Sequence, residues 1–333
     1  MMIDFKHKQH IHSENGVTYN LLNYHGIQLS EPMIFGIGSG LFMGFFPFLK
    51  QNGIPIATFR TAPGMIFQRA TKRLGIKIKK AKYRNPKRGM YALDKALDQG
   101  IAVGLQVGLY HLTYFPQALR FHFNMHNIVV YGKKNGMYQI SDPILENTTE
   151  LSFDELVKVR YAKGPFAPNG KMYYPTSLPS QLDLKPAIKK GISRTCKDML
   201  DIPVPFFGHT GYRFIAKRMK NWPTKFGEKT ASRWLEQFIR MMEETGTGGS
   251  GFRFIYSAFL QEAATELNEP WLKDISTEMS ANAELLKKFA LHSNKICKNR
   301  ATQDISYDQL ADLLIKVADN EKDIFTKLKK LRK

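Results

Sequence analysis

Two side chains near the middle of the sequence have the types and spacing of a general base and its orienting partner. His126 precedes a β-prone run at residues 127–131, and Asp142 directly follows a second such run at 137–141. Residues 132–136, with glycine at both ends, predict a hairpin turn between the two runs. Antiparallel pairing would then bring the two side chains together, and a carboxylate on one imidazole nitrogen leaves the other free to accept a proton. A strand-edge histidine and a turn aspartate remain the simpler interpretation.

Ser13 supplies a hydroxyl at the start of the first predicted helix. Val17, Leu21 and Leu22 follow at helical spacing, and Gly26 ends the pattern. The free N–H groups and the dipole at a helix N-terminus favour developing negative charge, which suits a nucleophile at this position. Serine is also a common helix N-cap, so this residue alone does not indicate chemistry.

Two groups of motifs give the sequence a resemblance to a known family. The first group is HSENGV at 12–17, LLNYHG at 21–26 and LSEPMIFGIGSGL at 29–41. The second group is Gly246-Thr247-Gly248-Gly249 followed by Phe252-Arg253, Tyr256, Phe259-Leu260 and Glu262-Ala263. Both resemble the butirosin-biosynthesis acyltransferase (BtrH-type) family, whose N-terminal domain is similar in fold to the peptidases that cleave double-glycine leaders from bacteriocins.

The resemblance implies both a fold and an activity. The fold is α+β, a papain-like cysteine-peptidase domain with its N-terminal helix packed on an antiparallel sheet, followed by an α-helical domain. The activity is transfer of an acyl group from an acyl carrier protein thioester to a small-molecule amine or hydroxyl acceptor through a covalent acyl-enzyme. Carried over to this sequence, position 13 is the nucleophile, His126 the base and Asp142 its orienting partner. Gln9 is the candidate amide of the oxyanion hole.

This sequence departs from the family pattern at the nucleophile, where His-Cys is replaced by His12-Ser13. A thiol with a pKa of about 8.5 ionises readily beside a histidine, whereas a hydroxyl must lose its proton during attack. Three explanations are open: an engineered replacement, a natural serine variant and a natural loss of catalysis. We favour the first, because every flanking residue still fits the active pattern.

Other residues are candidates for substrate binding. Phe42, Phe45 and Phe46 lie among glycines and can line an acyl tunnel, although ordinary core packing is the simpler interpretation. Tyr110 and Tyr114 follow a predicted strand at 101–109 and would approach the sheet edge near His126 to contact substrate, although surface-loop residues without such a role are the simpler interpretation. His12 is expected to position the catalytic turn and to contact substrate.

The balance of charge favours acidic partners. The formal net charge is +20, and the sequence pI is about 9.7. The densest basic run includes Lys77, Lys79, Lys80 and Lys82, which we predict to bind an acidic carrier protein; a solvated basic face is the alternative. Peripheral contact with an anionic membrane is a further possibility. No nucleic-acid motif is present, so no nucleic-acid partner is expected.

We expect no metal site and no cofactor other than the phosphopantetheine arm of the carrier protein, which brings the acyl group. The two cysteines, Cys196 and Cys297, are far apart and lack metal-ligand spacing. The polar first ten residues show no secretory signal, so the predicted location is the cytoplasm. The oligomeric state does not follow from the sequence.

The predicted organisation is a papain-like domain at 1–162, a proline-rich connection at 163–186 without regular structure, and a helical domain at 187–333. Helices are predicted at 185–201, 209–221, 227–244, 251–267, 270–292 and 306–331. Two functions remain beside acyl transfer. One is a hydrolase of the same fold (peptidase, amidase or thioesterase), and the other is a catalytically silent protein that binds a carrier protein or a membrane surface.

Overall fold

The chain alternates helices and strands up to residue 182 and is helical beyond it. The structure, a computed structural model, describes residues 3–244, 246–302 and 305–332. The helices α1 to α12 are Ser13–Tyr24, Glu31–Ile37, Met65–Arg73, Pro86–Asp98, Phe153–Arg160, Leu184–Leu200, Gly208–Met219, Trp222–Phe226, Glu228–Glu243, Arg253–Leu267, Trp271–Cys297 and Tyr307–Leu328. The strands β1 to β8 are Leu41–Gln51, Ile54–Arg60, Lys77–Lys82, Val103–Val107, His126–Lys134, Met137–Ser141, Thr149–Leu151 and Lys171–Ser177.

These elements divide into two compact units. The first unit contains the chain up to Ile34 and residues Ile66–Leu182, and the second contains Phe35–Met65 and the chain from Asp183 onward. The hairpin of β1 and β2 therefore belongs to the second unit. The sequence-based limits at 162 and 187 stay a prediction.

The core of the first unit lies around an antiparallel sheet. Within the described residues this sheet has six strands in the order β3-β8-β4-β5-β6-β7. Helices α1 and α4 both pack on the central strands β4 and β5. Apolar side chains from these elements, such as Leu21, Leu93, Leu105 and Ile128, are fully buried and form one cluster. Their burial removes apolar surface from water and fixes the helices on the sheet.

The second unit surrounds its hairpin with helices. Strand β1 pairs with β2, and helices α7 and α9 pack on these two strands. Helices α10, α11 and α12 pack on one another in sequence order. A buried ion pair joins α10 to α12 through Arg253 and Glu321, whose side chains are both fully inaccessible to solvent. In the described part of the chain, no helix combines the length and apolarity needed to cross a bilayer.

The predicted α+β class with a helical C-terminal part is confirmed. The hairpin of β5 and β6 forms as expected, although its turn is the two residues Asn135 and Gly136, both with positive φ. This is the backbone conformation that favours Asn-Gly in tight hairpins. The predicted C-terminal helices are all present. The structure adds one short helix that was not predicted, α8, and Gly227 separates it from the helix expected at 227–244.

The expectation that residues 163–186 lack regular structure was wrong. Residues Lys171–Ser177 form β8, which lies between β3 and β4 in the sheet. Pro175 is tolerated there because it lies at a register shift opposite Ile78, beyond the two residues that pair with β4. Proline is confined to such irregular or unpaired positions in sheets, since it has no N–H to donate.

Candidate active site

Helix α1 places Ser13 at its first helical position. The N-cap is His12, whose Nδ1 accepts a hydrogen bond from the backbone N–H of Asn15 at 3.4 Å. Both His12 and Ser13 are buried, at 5% and 6% exposure. The predicted position of Ser13 at a helix start is therefore correct, but the capping role falls to the histidine. The hydroxyl lies beside the positive end of the helix dipole, where negative charge is stabilised.

A buried carboxylate holds the chain that enters α1. Glu31, at the start of α2, accepts hydrogen bonds from the backbone N–H groups of Ile11 and His12 at 3.0 and 2.9 Å, and from Asn15 Nδ2 at 3.3 Å. It also lies 3.4 Å from Nδ1 of His10. Bonds to an ionised acceptor are stronger than neutral ones, so this residue fixes the backbone before α1 and the side chain of Asn15 in its first turn. This role was not predicted, because the partners of Glu31 lie 19 and 20 residues away along the chain.

His126 and Asp142 form the predicted pair. His126 opens β5 opposite Val107, and Asp142 follows the last residue of β6. Nε2 of His126 lies 2.7 Å from Oδ2 of Asp142, and the side chains are 7% and 0% exposed. Because an ionised carboxylate only accepts hydrogen bonds, Nε2 carries the proton and Nδ1 keeps its lone pair. The arrangement leaves Nδ1 as the nitrogen that can accept a proton from a nucleophile.

Asp142 accepts two further hydrogen bonds. The hydroxyl of Tyr114 donates to Oδ2 at 2.8 Å, and the backbone N–H of Ile144 donates to Oδ1 at 3.0 Å. Burial, and then the charge of Asp142 and this hydrogen bond, hold the pKa of Tyr114 well above its ordinary value of 10. Its hydroxyl therefore stays protonated and remains a donor. The structure thus gives Tyr114 a contact with the carboxylate, while its predicted contact with substrate stays a prediction.

The turn that carries Asp142 is bound to the segment that precedes α1. The backbone N–H of His10 donates to the carbonyl of Pro143 at 2.7 Å, and Nε2 of Gln9 donates to the carbonyl of Ile144 at 3.1 Å. Further along, the ring of His7 is 2.7 Å from the hydroxyl of Ser141. These bonds were not foreseen, because the first ten residues show no pattern that predicts them. They place Gln9 on this turn, and its predicted oxyanion role stays a prediction.

Gly16 allows the first turn of α1 to approach the same turn closely. A Cβ at this position would lie 2.3 Å from Cβ of Pro143 and 2.8 Å from Cβ of His10. Positions 13 and 16 share one face of the helix. Close packing at Gly16 therefore directs that face toward the residue after Asp142. A hydrogen bond between Ser13 Oγ and His126 Nδ1 stays a prediction.

Tyr110 lies in a cavity of the first unit, of about 340 Å³. Its ring stacks on that of His122, with centroids 4.1 Å apart, and meets His111 edge-on at 5.2 Å. Lys158 and Lys163 also line this cavity. Burial lowers the pKa of His111, and the charges of His122 and Lys158 lower it further. The cavity is basic and aromatic. Its lining includes Tyr110 but neither Tyr114 nor Asp142.

Three other predicted binding residues, Phe42, Phe45 and Phe46, belong to the second unit. Phe42 and Phe46 pack against Phe207 within the second unit, at centroid distances of 5.4 and 5.2 Å, and Phe45 is buried there beside Phe214. Ordinary aromatic packing accounts for these contacts. A role toward an acyl group stays a prediction.

The four predicted carrier-binding lysines all lie on β3, at one edge of the six-stranded sheet. Their side chains are exposed. Lys80 Nζ donates to Gln68 Oε1 at 3.0 Å, and Lys79 Nζ lies 5.9 Å from the ring centre of Tyr174. Within the described residues, no group of three metal-ligating side chains comes together.

Comparison with known proteins gives two matches to family models. Residues 154–328, more than half of the chain, match a domain of unknown function, DUF4872. Residues 12–143 match the N-terminal domain of butirosin biosynthesis protein H, a range that includes Ser13, His126 and Asp142. Together with the helix and sheet described above, the second match confirms the predicted papain-like fold.

The solved structures that are similar to the chain include the crystal structure of a C39-like peptidase from Bacillus anthracis. Its identity is 13% and the TM-score 0.35, and the match covers 53% of this chain and 97% of the other. Similarity this low carries no argument about activity. No curated protein matches the chain.

Proposed function

This chain matches the N-terminal domain of butirosin biosynthesis protein H over residues 12–143 and belongs to the DUF4872 family through residues 154–328, and we propose that it is built as an acyltransferase acting through position 13. The resemblance predicted from residues 12–41 is confirmed by the first of these domains. The observation that carries the proposal is the buried hydrogen bond between His126 and Asp142, in the unit whose first helix begins at Ser13.

The proposed reaction uses these groups in two steps. The oxygen of Ser13 attacks the thioester carbonyl carbon of an acyl carrier protein, while Nδ1 of His126 takes the hydroxyl proton. Negative charge on the carbonyl oxygen develops beside the helix N-terminus. The carbon–sulfur bond then breaks, and the imidazolium returns the proton to the departing phosphopantetheine thiol.

In the second step an amine or hydroxyl acceptor attacks the acyl-enzyme ester. His126 removes the proton of the acceptor and delivers it to the oxygen of Ser13 as the ester bond breaks. Asp142 stays ionised throughout and stabilises the imidazolium that forms in each step. The exposed lysines of β3 would attract the acidic carrier protein and speed the encounter.

Loading of position 13 is the direct test. We expect the Ser13→Cys variant, mixed with carrier proteins bearing acyl chains of different length, to gain the mass of one acyl group by intact-mass spectrometry. The thiolate forms far more readily than the alkoxide, so the native serine should load more slowly. Ser13→Ala and His126→Ala should not load. No adduct on Ser13→Cys with any acyl chain would contradict the proposal.

The fate of the loaded acyl group separates transfer from hydrolysis. A transferase holds the acyl group in buffer and releases it when a simple amine is added. A hydrolase of the same fold releases it to water at the same rate with or without the amine. Rapid release without an acceptor would therefore assign the hydrolase activity instead.

The serine at position 13 favours a second candidate function. In a site shaped for sulfur the smaller oxygen would lie slightly farther from its target, and a misplacement of about 1 Å costs on the order of a hundredfold in rate. A natural serine would then mark a silent protein that still binds the carrier. Carrier binding by calorimetry, without loading of the native chain or of Ser13→Cys, would support this candidate.

A further inference from the structure

A cavity of about 510 Å³ lies in the second unit, and its lining includes none of the residues discussed as catalytic. Its walls come from β1, the start of β2, the end of α7, α8 and α9. The lining residues are Phe45, Pro47, Lys50, Pro55, Lys217, Arg218, Asn221, Trp222, Lys225, Phe226 and Trp234. This volume falls within the range of about 300–1,000 Å³ found for small-molecule sites.

One wall of the cavity is aromatic. The rings of Trp222 and Trp234 meet nearly at right angles with centroids 5.5 Å apart, and Phe226 lies 4.6 Å from Trp234. Both tryptophans are largely buried, at 4% and 9% exposure, so their positions are fixed by the surrounding helices. Phe226 is 39% exposed and remains available for contact. The wall offers a rigid apolar surface to a ligand.

The same cavity is lined by four cations, Lys50, Lys217, Arg218 and Lys225, and by no carboxylate. Lys50 Nζ lies 5.5 Å from the ring centre of Trp234, which places one cation directly beside the aromatic wall. In the part of the chain that the structure describes, none of the four takes part in an ion pair.

Neighbouring cations on the same helix behave differently. Lys220 is paired with Asp308 and Asp312 at 3.3 and 3.4 Å, and Arg213 is paired with Asp319. The cations of α7 and its C-cap are therefore of two kinds. Some are paired with aspartates of α12, and the others line the cavity without a counter-charge. An anion bound in the cavity would supply that counter-charge in a partly desolvated place, where attraction is stronger than in bulk water.

We propose that this cavity binds an amphipathic carboxylate, with its apolar acyl or aryl body on the indoles of Trp222 and Trp234 and its carboxylate among Lys50, Lys217 and Arg218. The two halves of the ligand match the two halves of the lining. A neutral ligand of the same shape would leave the cations without a partner. A small inorganic anion would leave the aromatic wall uncovered. This inference does not depend on the proposed acyl transfer.

Tryptophan fluorescence tests the proposal directly, because two of the three tryptophans of the chain, Trp222 and Trp234, line the cavity and the third is Trp271. Titration of the full chain with octanoate should give a saturable change in emission. Trp271→Phe should keep the change, whereas Trp222→Phe and Trp234→Phe should each lose a large part of it. Absence of any saturable change would overturn the proposal.

The charge requirement is tested with a matched ligand and matched variants. Octan-1-ol has the same chain without the carboxylate and should bind at least tenfold more weakly. The double variant Lys217→Gln, Arg218→Gln should lower octanoate affinity at least tenfold, measured by calorimetry, and leave octan-1-ol binding unchanged. Lys220→Gln, from the same helix end but outside the cavity, should bind octanoate like the native chain. Equal affinity for both ligands, or no effect of the double variant in a protein with native circular dichroism, would contradict the proposal.

Discussion

The backbone N–H of His12 donates a 2.9 Å hydrogen bond to Oε1 of Glu31, which ties the residue before the candidate nucleophile to the second helix. Ile11 donates to the other oxygen of the same carboxylate. The position of Ser13 thus depends on a side chain 18 residues further along the chain. Glu31 can therefore affect chemistry at position 13 without touching substrate, and the first of four predictions concerns its replacement.

Replacing Glu31 should slow loading of position 13. In Glu31→Gln, made in the Ser13→Cys background, one oxygen becomes an amide that cannot accept from a backbone N–H. Small displacements of a nucleophile are costly, so we expect loading to fall about tenfold to a hundredfold. The exposed Glu146→Gln, with the same change of charge, is the control and should load normally. An equal rate in both variants would assign Glu31 no part in positioning.

Tyr114→Phe should weaken catalysis through Asp142. The change removes one of three donors from the carboxylate, and a hydrogen bond to a charged group contributes about 1.5–3 kcal/mol, so loading should slow about tenfold or more. Tyr110→Phe, in the neighbouring cavity, is the control and should not slow it. Because the raised pKa of Tyr114 keeps its hydroxyl protonated, the native enzyme should lose no activity through its ionisation up to pH 10. An alkaline limb that vanishes in Tyr114→Phe would contradict this assignment.

Charge reversal on β3 should weaken carrier binding. We expect the triple variant Lys79→Glu, Lys80→Glu, Lys82→Glu to bind an acyl carrier protein more weakly and to show a flatter dependence of affinity on salt, because the attraction removed is electrostatic. The control reverses Lys185, Lys189 and Lys190 on α6, which changes the net charge equally. If both triple variants behave alike, net charge accounts for binding and β3 is only a solvated face.

Breaking the buried ion pair should destabilise the second unit. Arg253→Met leaves Glu321 fully buried without its partner, which costs about 3–5 kcal/mol. Arg213→Met, which breaks an exposed pair with Asp319, should cost no more than about 1 kcal/mol. Urea unfolding followed by tryptophan emission reports this unit, since Trp222, Trp234 and Trp271 all lie in it. Similar costs for the two variants would refute the distinction.

Local pattern was enough to predict much of the first unit. The apolar spacing of α1 and the Asn135-Gly136 turn act over a few residues, so the helix start at Ser13 and the β5–β6 hairpin followed from them. The meeting of His126 with Asp142 then followed from antiparallel pairing. Each of these inferences needed only neighbours in sequence or one hairpin.

The features of the fold and the site that were not predicted depend on contacts between residues far apart in the sequence. Tyr114 reaches Asp142 from a loop that has no regular pattern, so its partner could not be read from spacing. Pro175 led to a wrong prediction, because it lies in β8 at a register shift, where the missing N–H costs no ladder bond. The sequence shows the proline but not the irregular pairing that accommodates it.

Gly16 has a mechanical consequence. A hydrogen atom is all that separates the backbone of α1 at this point from the ring of Pro143 and the Cβ of His10, so the helix cannot rotate or slide there without collision. Thermal motion must then carry the hydroxyl-bearing helix end and the aspartate-bearing turn as one rigid piece. In the proposed reaction, position 13 and Asp142 would therefore keep their relative positions when a substrate arrives.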